Sequence, residues 1–86
     1  MATDHLREKL NTLTQLIQNE ELQIFQHEML VEAAATSTGD KQVDQVLQGQ
    51  AQNSKTAIIG AAARTRIYKA KRAALEAELT GQALGS

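Results

Sequence analysis

Apolar residues recur at helical spacing along two long stretches of this chain, and a short polar cluster separates the two stretches. In the first stretch the steps are three, four and seven residues, and in the second they alternate between four and three. A β-strand would alternate with a period of two, so the spacing predicts two long amphipathic α-helices. The first set of positions comprises Leu6, Leu10, Leu13, Ile17, Ile24, Val31 and Ala34, and the second comprises Leu47, Ala51, Ser54, Ile58, Ala61, Thr65, Tyr68, Arg72, Leu75 and Leu79.

The cluster Thr-Ser-Thr-Gly-Asp at residues 36–40 is the only strong helix-breaking signal in the chain. Gly39 can adopt the positive φ that ends a helix, and the Asp40 carboxylate can cap the next helix. Asp4 is predicted to cap the first helix and Gly81 to end the second. The sequence therefore predicts an all-α fold: an antiparallel two-helix hairpin in a single domain, with the second helix overhanging the first. Its predicted parts are a helix over about 4–36, a turn over 37–40, a helix over about 41–80 and a short tail over 81–86.

Gly49 lies in a glutamine-rich stretch that favours helix only weakly. An interior glycine costs about 1 kcal/mol relative to alanine, and Asn53 or Ser54 could begin a third helix there. The alternatives are a break near Gly49, which gives three helices, and one continuous second helix. The unbroken apolar spacing favours the continuous helix.

The chain is short and lacks the usual means of stabilising a small fold. It has 86 residues, no cysteine, no tryptophan, one Phe and one Tyr. A chain of this size buries only about 60–65% of its unfolded surface, and without disulfides or thiolate metal sites the remaining source of stability is association. The sequence therefore indicates that folding and assembly are coupled.

Each predicted helix carries a second set of apolar residues, nearly opposite the first at roughly 100° per residue. A two-helix hairpin needs only one apolar stripe per helix. One explanation is alanine used as a helix former, with a few exposed apolar side chains; the other is burial against partner helices. The large side chains favour a partner interface. The second set comprises Leu22, Phe25, Met29 and Ala33 on the first helix and Ile59, Ala63, Ile67, Ala70, Ala74 and Ala77 on the second.

Polar residues interrupt the first apolar stripes, at Glu20 and His27 on one helix and at Ser54, Thr65 and Arg72 on the other. Polar groups in a helical seam can fix register and partner number. Alternatively the seam drifts and these side chains reach solvent, as a snorkelling Arg72 would. Small residues on the second predicted helix, with Gly60 beside them, also permit a close approach of the two helices. They are Ala51, Ser54, Ala57 and Ala61.

The net charge of −1 is unevenly divided. Residues 1–36 hold six acids and two bases, hence −4, whereas residues 37–86 hold seven bases and four acids, hence +3. In an antiparallel hairpin only Asp4 and Glu8 are predicted to face the basic band near residues 64–72. The band could stay solvated, pair with acids of a neighbouring copy or contact nucleic-acid phosphates. It comprises Arg64, Arg66, Lys69, Lys71 and Arg72.

No arrangement of residues suggests catalysis, a cofactor or a metal. There is no phosphate-binding glycine loop, and His5 and His27 have no convergent partners that spacing can identify. The longest run without a polar side chain, Ala57–Ala63, is far shorter than the ~20 residues of a membrane span. We expect a soluble protein without a cleaved signal peptide, intracellular or part of a larger particle, that is not an enzyme.

The leading hypothesis is a non-enzymatic structural or assembly subunit that associates with copies of itself into a bundle, ring or filament. Helical subunits of this size are common in virions and secretion machines, which is an analogy of class only. One alternative is a small chaperone or adaptor that holds an amphipathic helix of a different protein. Another is a nucleic-acid-associated protein that uses the basic band.

Overall fold

The computed structural model describes residues 2–85, with side chains described for residues 3–81. Helix α1 spans Ala2–Ala34 and helix α2 spans Lys41–Gly85. The two helices pack against each other along a molecule measuring 66 × 16 × 13 Å. His27 meets Ser54, and Glu20, earlier in the chain, meets Arg64, later in the chain, so the helices run antiparallel. The predicted all-α two-helix hairpin is confirmed.

The seam between α1 and α2 is formed by the residues that the 4-3 spacing identifies. Leu6, Ile17, Ala51 and Ala61 are the buried apolar residues. Every other residue of the two predicted stripes is buried or half-buried. Repeating steps of four and three keep one narrow stripe of each helix turned toward its partner, which is the arrangement found in coiled coils. The core is therefore narrow and consists of one stripe of side chains from each helix.

The turn is held by hydrogen bonds of its own side chains. Gly39 has φ of +87°, the left-handed conformation predicted for it. The Asp40 carboxylate accepts hydrogen bonds from the amides of Gln42 at 2.9 Å and Val43 at 3.3 Å, so it caps α2 as predicted. At the end of α1, the amide of Ala35 donates to the carbonyls of Val31 and Glu32. The turn thus closes both helix ends within six residues, 35–40.

The helices differ from the prediction at two of their ends, and the interior of α2 resolves the alternative left open at Gly49. Asp4 lies inside the first turn of α1, so its predicted role as the capping residue is wrong. The predicted end at Gly81 is also wrong, because α2 continues to Gly85. A glycine away from a turn costs only about 1 kcal/mol, which the helix-forming residues around it can offset. At Gly49 the helix is continuous, and the three-helix alternative is excluded.

Within the part of the chain that the structure describes, neither helix contains a stretch long and apolar enough to cross a bilayer.

Candidate functional site: two outer helix faces

Large apolar side chains are exposed on the side of each helix that points away from the seam. On α1 the exposed fractions are 55% for Leu22, 56% for Phe25 and 41% for Met29. On α2 they are 71% for Ile59 and 54% for Ile67. We define the α1 outer face as Leu22, Phe25, Met29 and Ala33, and the α2 outer face as Ile59, Ala63, Ile67, Ala70, Ala74 and Ala77.

The hairpin itself cannot cover these faces. The seam occupies one stripe of each helix, and residues half a turn from that stripe point away from the other helix of the hairpin. Complete burial of a large apolar side chain is worth roughly 1.5–3 kcal/mol. Burying the exposed parts of five such side chains would therefore contribute a free energy comparable to the whole free energy of unfolding of a small domain.

Three more large apolar side chains among those that the structure describes are exposed outside these faces and were not predicted from the sequence. Leu16 flanks the seam and is 37% exposed, whereas Val43 and Val46 lie in the first turns of α2 at 44% and 56%. The sequence offered one indication for Leu16: it directly precedes the seam residue Ile17 but does not itself belong to the 4-3 pattern. Val43 and Val46 are three residues apart and so share a side of α2 near the turn.

Part of the basic band is paired within the hairpin. Arg64 donates through Nε and Nη2 to both carboxylate oxygens of Glu20, each at 3.0 Å. These hydrogen bonds raise the pKa of the Arg64 guanidinium above its ordinary value. Lys69 Nζ lies 3.5 Å from Glu21, and Arg72 Nε lies 3.8 Å from Glu76 in the next turn of α2.

The prediction that only Asp4 and Glu8 could face this band is wrong. The antiparallel register places residues 64–69 opposite the middle of α1, where Glu20 and Glu21 lie, and not opposite its start. Arg66 and Lys71 are exposed and form no ion pair among the residues with described side chains. Two of the five basic residues are therefore available to a partner without breaking an internal contact.

The polar residues of the seam have partners inside the hairpin. His27 Nδ1 lies 2.9 Å from Ser54 Oγ, across the interface between the helices. Thr65 donates its hydroxyl to the carbonyl of Ala61 at 2.8 Å. Ser54 and Thr65 are buried, while His27, Glu20 and Arg72 are half-buried. The contacts of His27 with Ser54 and of Glu20 with Arg64 join the two helices and so favour a role in register for these residues. Thr65 and Arg72 contact only residues of α2, and their predicted role in register stays a prediction.

The small residues of α2 divide between the seam and its edge. Ala51, Ser54 and Ala61 are buried against α1 and Ala57 is half-buried. Gly60 lies at the edge of the seam: a Cβ placed on it would meet only Arg64 Nη1, at 3.4 Å. That distance is an ordinary contact with the end of a flexible side chain, and no atom of α1 lies within 4 Å, so the approach of the two helices does not require a glycine at this position.

A shallow groove of about 610 Å³ lies between the start of α1 and the second half of α2. Its walls combine apolar residues with a few charged ones. Within the part of the chain whose side chains are described, no group of three or more His, Asp and Glu residues could hold a metal ion. The groove is lined by His5, Glu8, Lys9, Thr12, Leu13, Lys71, Ala74 and Leu75.

The fold and these surfaces define a class of protein: an all-α helical hairpin with an exposed apolar face on each helix. No protein-family model, curated protein or solved structure matches this chain.

Proposed function

We propose that this protein is a non-enzymatic structural or assembly subunit that associates with copies of itself through the outer faces of its helices. The observation that supports this most strongly is the exposure of Phe25, Ile59 and Ile67, each more than half exposed to solvent. Large apolar side chains clustered on one face are rare on monomers and common at protein interfaces. The product would be a helical bundle, a ring or a filament.

The thin core supports the same proposal. Among the residues with described side chains, only four apolar ones are buried, and two of those are alanines. The two large ones are Leu6 and Ile17, and burial of the outer faces would add five more large apolar side chains to the buried set. Association would then contribute to the stability of the hairpin, as in many small proteins without disulfides or metals.

The mass of the protein in solution, measured by sedimentation equilibrium over a hundredfold range of concentration, tests the proposal. We expect a mass that rises with concentration above that of one chain, and a lower mass for the double variant Phe25→Gln, Ile59→Gln. Val46→Gln is the matched control, because Val46 is as exposed as Phe25 but lies outside both outer faces. A wild-type protein that remains a folded monomer throughout would contradict the proposal.

A second candidate function uses the same surfaces: a chaperone or adaptor that holds an amphipathic helix of a different protein. The exposed apolar side chains favour it as much as self-association, but it predicts a chain that stays monomeric alone. Nucleic-acid binding through the basic band is less favoured, because Arg64, Lys69 and Arg72 already have acidic partners.

A further inference from the structure

We infer that the two outer faces bind each other, so that α1 of one copy packs on α2 of the next copy. This inference rests on the proposed function and specifies it: the occupant of each face is a second copy of this chain, joined head to tail. The predicted product is a ring or an open filament of hairpins, and not a dimer related by a two-fold axis.

The geometry of the hairpin provides the first argument. The large side chains of the α1 outer face and those of the α2 outer face point to opposite sides of the molecule, because each set lies opposite the shared seam. In the α2 outer face, Ala63 is half-buried and Ala74 also lines the groove beside α1. A contact between the α1 face of one copy and the α2 face of another leaves one face of each kind uncovered. Such a contact repeats until the chain of subunits closes into a ring or grows as a filament.

Charge provides the second argument. Between residues 10 and 39 the chain has four glutamates and no Lys or Arg, and between residues 45 and 75 it has six bases and no acid. Each helix therefore has one sign of charge along its middle. Packing two α1 faces together would set glutamates against glutamates, and packing two α2 faces together would set bases against bases. Only the mixed contact brings opposite charges together.

Along the middle of the two helices, the charged residues that have no ion-pair partner within the described part of the hairpin are also divided by sign, with acids on α1 and bases on α2. Glu28 and Glu32 on α1 and Arg66 and Lys71 on α2 are exposed and form no ion pair among the residues whose side chains are described. At 3.6 residues per turn, Glu32 and Arg66 each lie about a sixth of a turn from the centre of their outer face. They border the two surfaces that the inference joins.

Side-chain size provides the third argument. The α1 outer face is formed mainly by the long side chains of Leu22, Phe25 and Met29, whereas alanines lie between and beyond the two isoleucines of the α2 outer face. Large side chains of one helix pack best into spaces left by small residues of another. Two α1 faces would place large side chains against each other, and the mixed contact avoids this.

A mixing experiment with face-specific variants tests the inference. Phe25→Gln, Met29→Gln disables the α1 face, and Ile59→Gln, Ile67→Gln disables the α2 face, without adding charge or a helix breaker. Each variant alone should be a monomer, measured as a mass in solution. An equimolar mixture should form a 1:1 dimer that grows no further, because one intact face of each kind remains. Helical circular dichroism of each variant checks that the hairpin is still folded.

The outcomes separate the inference from the proposed function. One outcome against the inference is a single variant that still forms the wild-type assembly. Another is a mixture whose mass does not exceed that of its components although the wild type assembles. In either case the head-to-tail contact is wrong, while the proposed self-association stands. If the wild type is monomeric, the proposed function fails as well.

A charge reversal provides a second test that does not depend on the glutamine variants. Glu28→Lys, Glu32→Lys should weaken self-association by about tenfold or more, as loss of two attractions and gain of two repulsions implies. Adding Arg66→Glu, Lys71→Glu to the same chain should restore it. If the added changes do not restore association, these glutamates of one copy do not pair with Arg66 and Lys71 of the next copy.

Discussion

At the scale of single residues, the glycines show how much the backbone conformation determines the effect of a substitution. Gly39 has a positive φ of 87°, which an L side chain adopts only with strain. Gly49 is exposed within α2, and a Cβ on it would meet nothing within 4 Å. The same replacement by alanine should therefore have opposite effects at the two positions.

We predict that Gly39→Ala lowers the free energy of unfolding by about 1–2 kcal/mol and that Gly49→Ala raises it by about 0.5–1 kcal/mol. The first change places alanine in the left-handed conformation that Gly39 adopts and alanine disfavours, and the second removes the entropic cost of an interior glycine. Urea unfolding at one fixed protein concentration measures both. Shifts of the same sign would show that the turn or α2 has a different conformation in solution.

Asp44 makes the turn sensitive to acid. Its carboxylate accepts hydrogen bonds from the Thr38 amide at 2.9 Å, the Thr38 hydroxyl at 2.7 Å and the Ser37 hydroxyl at 3.0 Å. The amide of Thr38, then its hydroxyl, lower the pKa of Asp44 below its ordinary value of 3.8. A carboxyl group whose pKa is lower in the folded state stabilises the fold above its unfolded pKa and loses that effect as the pH falls through the folded pKa.

We predict that Asp44→Asn destabilises the hairpin at neutral pH and that the difference from the wild type shrinks as the pH falls from about 5 to about 2. Protonation of the wild-type carboxyl group removes the same charge that the variant lacks. Unfolding curves across this range give the difference directly. Glu78→Gln, which also removes one carboxylate but far from the turn, should show no such convergence, and a constant difference for Asp44→Asn would contradict the role of its charge.

At the scale of helices, the seam could be predicted from spacing because it depends on periodicity within each helix. The turn residues Gly39 and Asp40 could be predicted because their effects are local. Contacts between the helices, such as Glu20 with Arg64, depend on the register of two segments 44 residues apart, which spacing within one helix does not determine. Asp44 was missed for a related reason: its partner amide at Thr38 becomes available only when the turn has formed.

The pair of His27 and Ser54 illustrates a polar contact whose effect depends on both partners. Ser54→Ala should cost about 0.5–1.5 kcal/mol, because it removes the hydrogen bond that the half-buried imidazole makes across the seam. His27→Leu combined with Ser54→Ala should recover most of that loss, since no polar group then remains unpaired. Thermal unfolding of both variants measures this recovery. Thr56→Ala is the control: Thr56 is exposed and its hydroxyl bonds only within α2, so its removal should change stability little.

At the scale of the whole molecule, the exposed outer faces link stability to concentration. A rod of 66 × 16 × 13 Å has a large surface for its volume, and only one stripe of side chains from each helix fills its interior. If copies bind each other only when folded, mass action shifts the folding equilibrium toward the folded state as concentration rises. A monomeric hairpin has an unfolding temperature independent of concentration.

We therefore predict that a hundredfold rise in protein concentration stabilises the wild-type chain by about 1–3 kcal/mol and raises its Tm by about 5 °C or more. The variant Phe25→Gln, Met29→Gln lacks the side chains of one face, so its Tm should be lower at high concentration and nearly constant across the range. Val46→Gln should follow the wild type, because it removes an equally exposed side chain outside both faces. Circular dichroism melts at matched concentrations measure all three proteins, and a wild-type Tm that does not change with concentration would show that the exposed faces do not stabilise the fold through self-association.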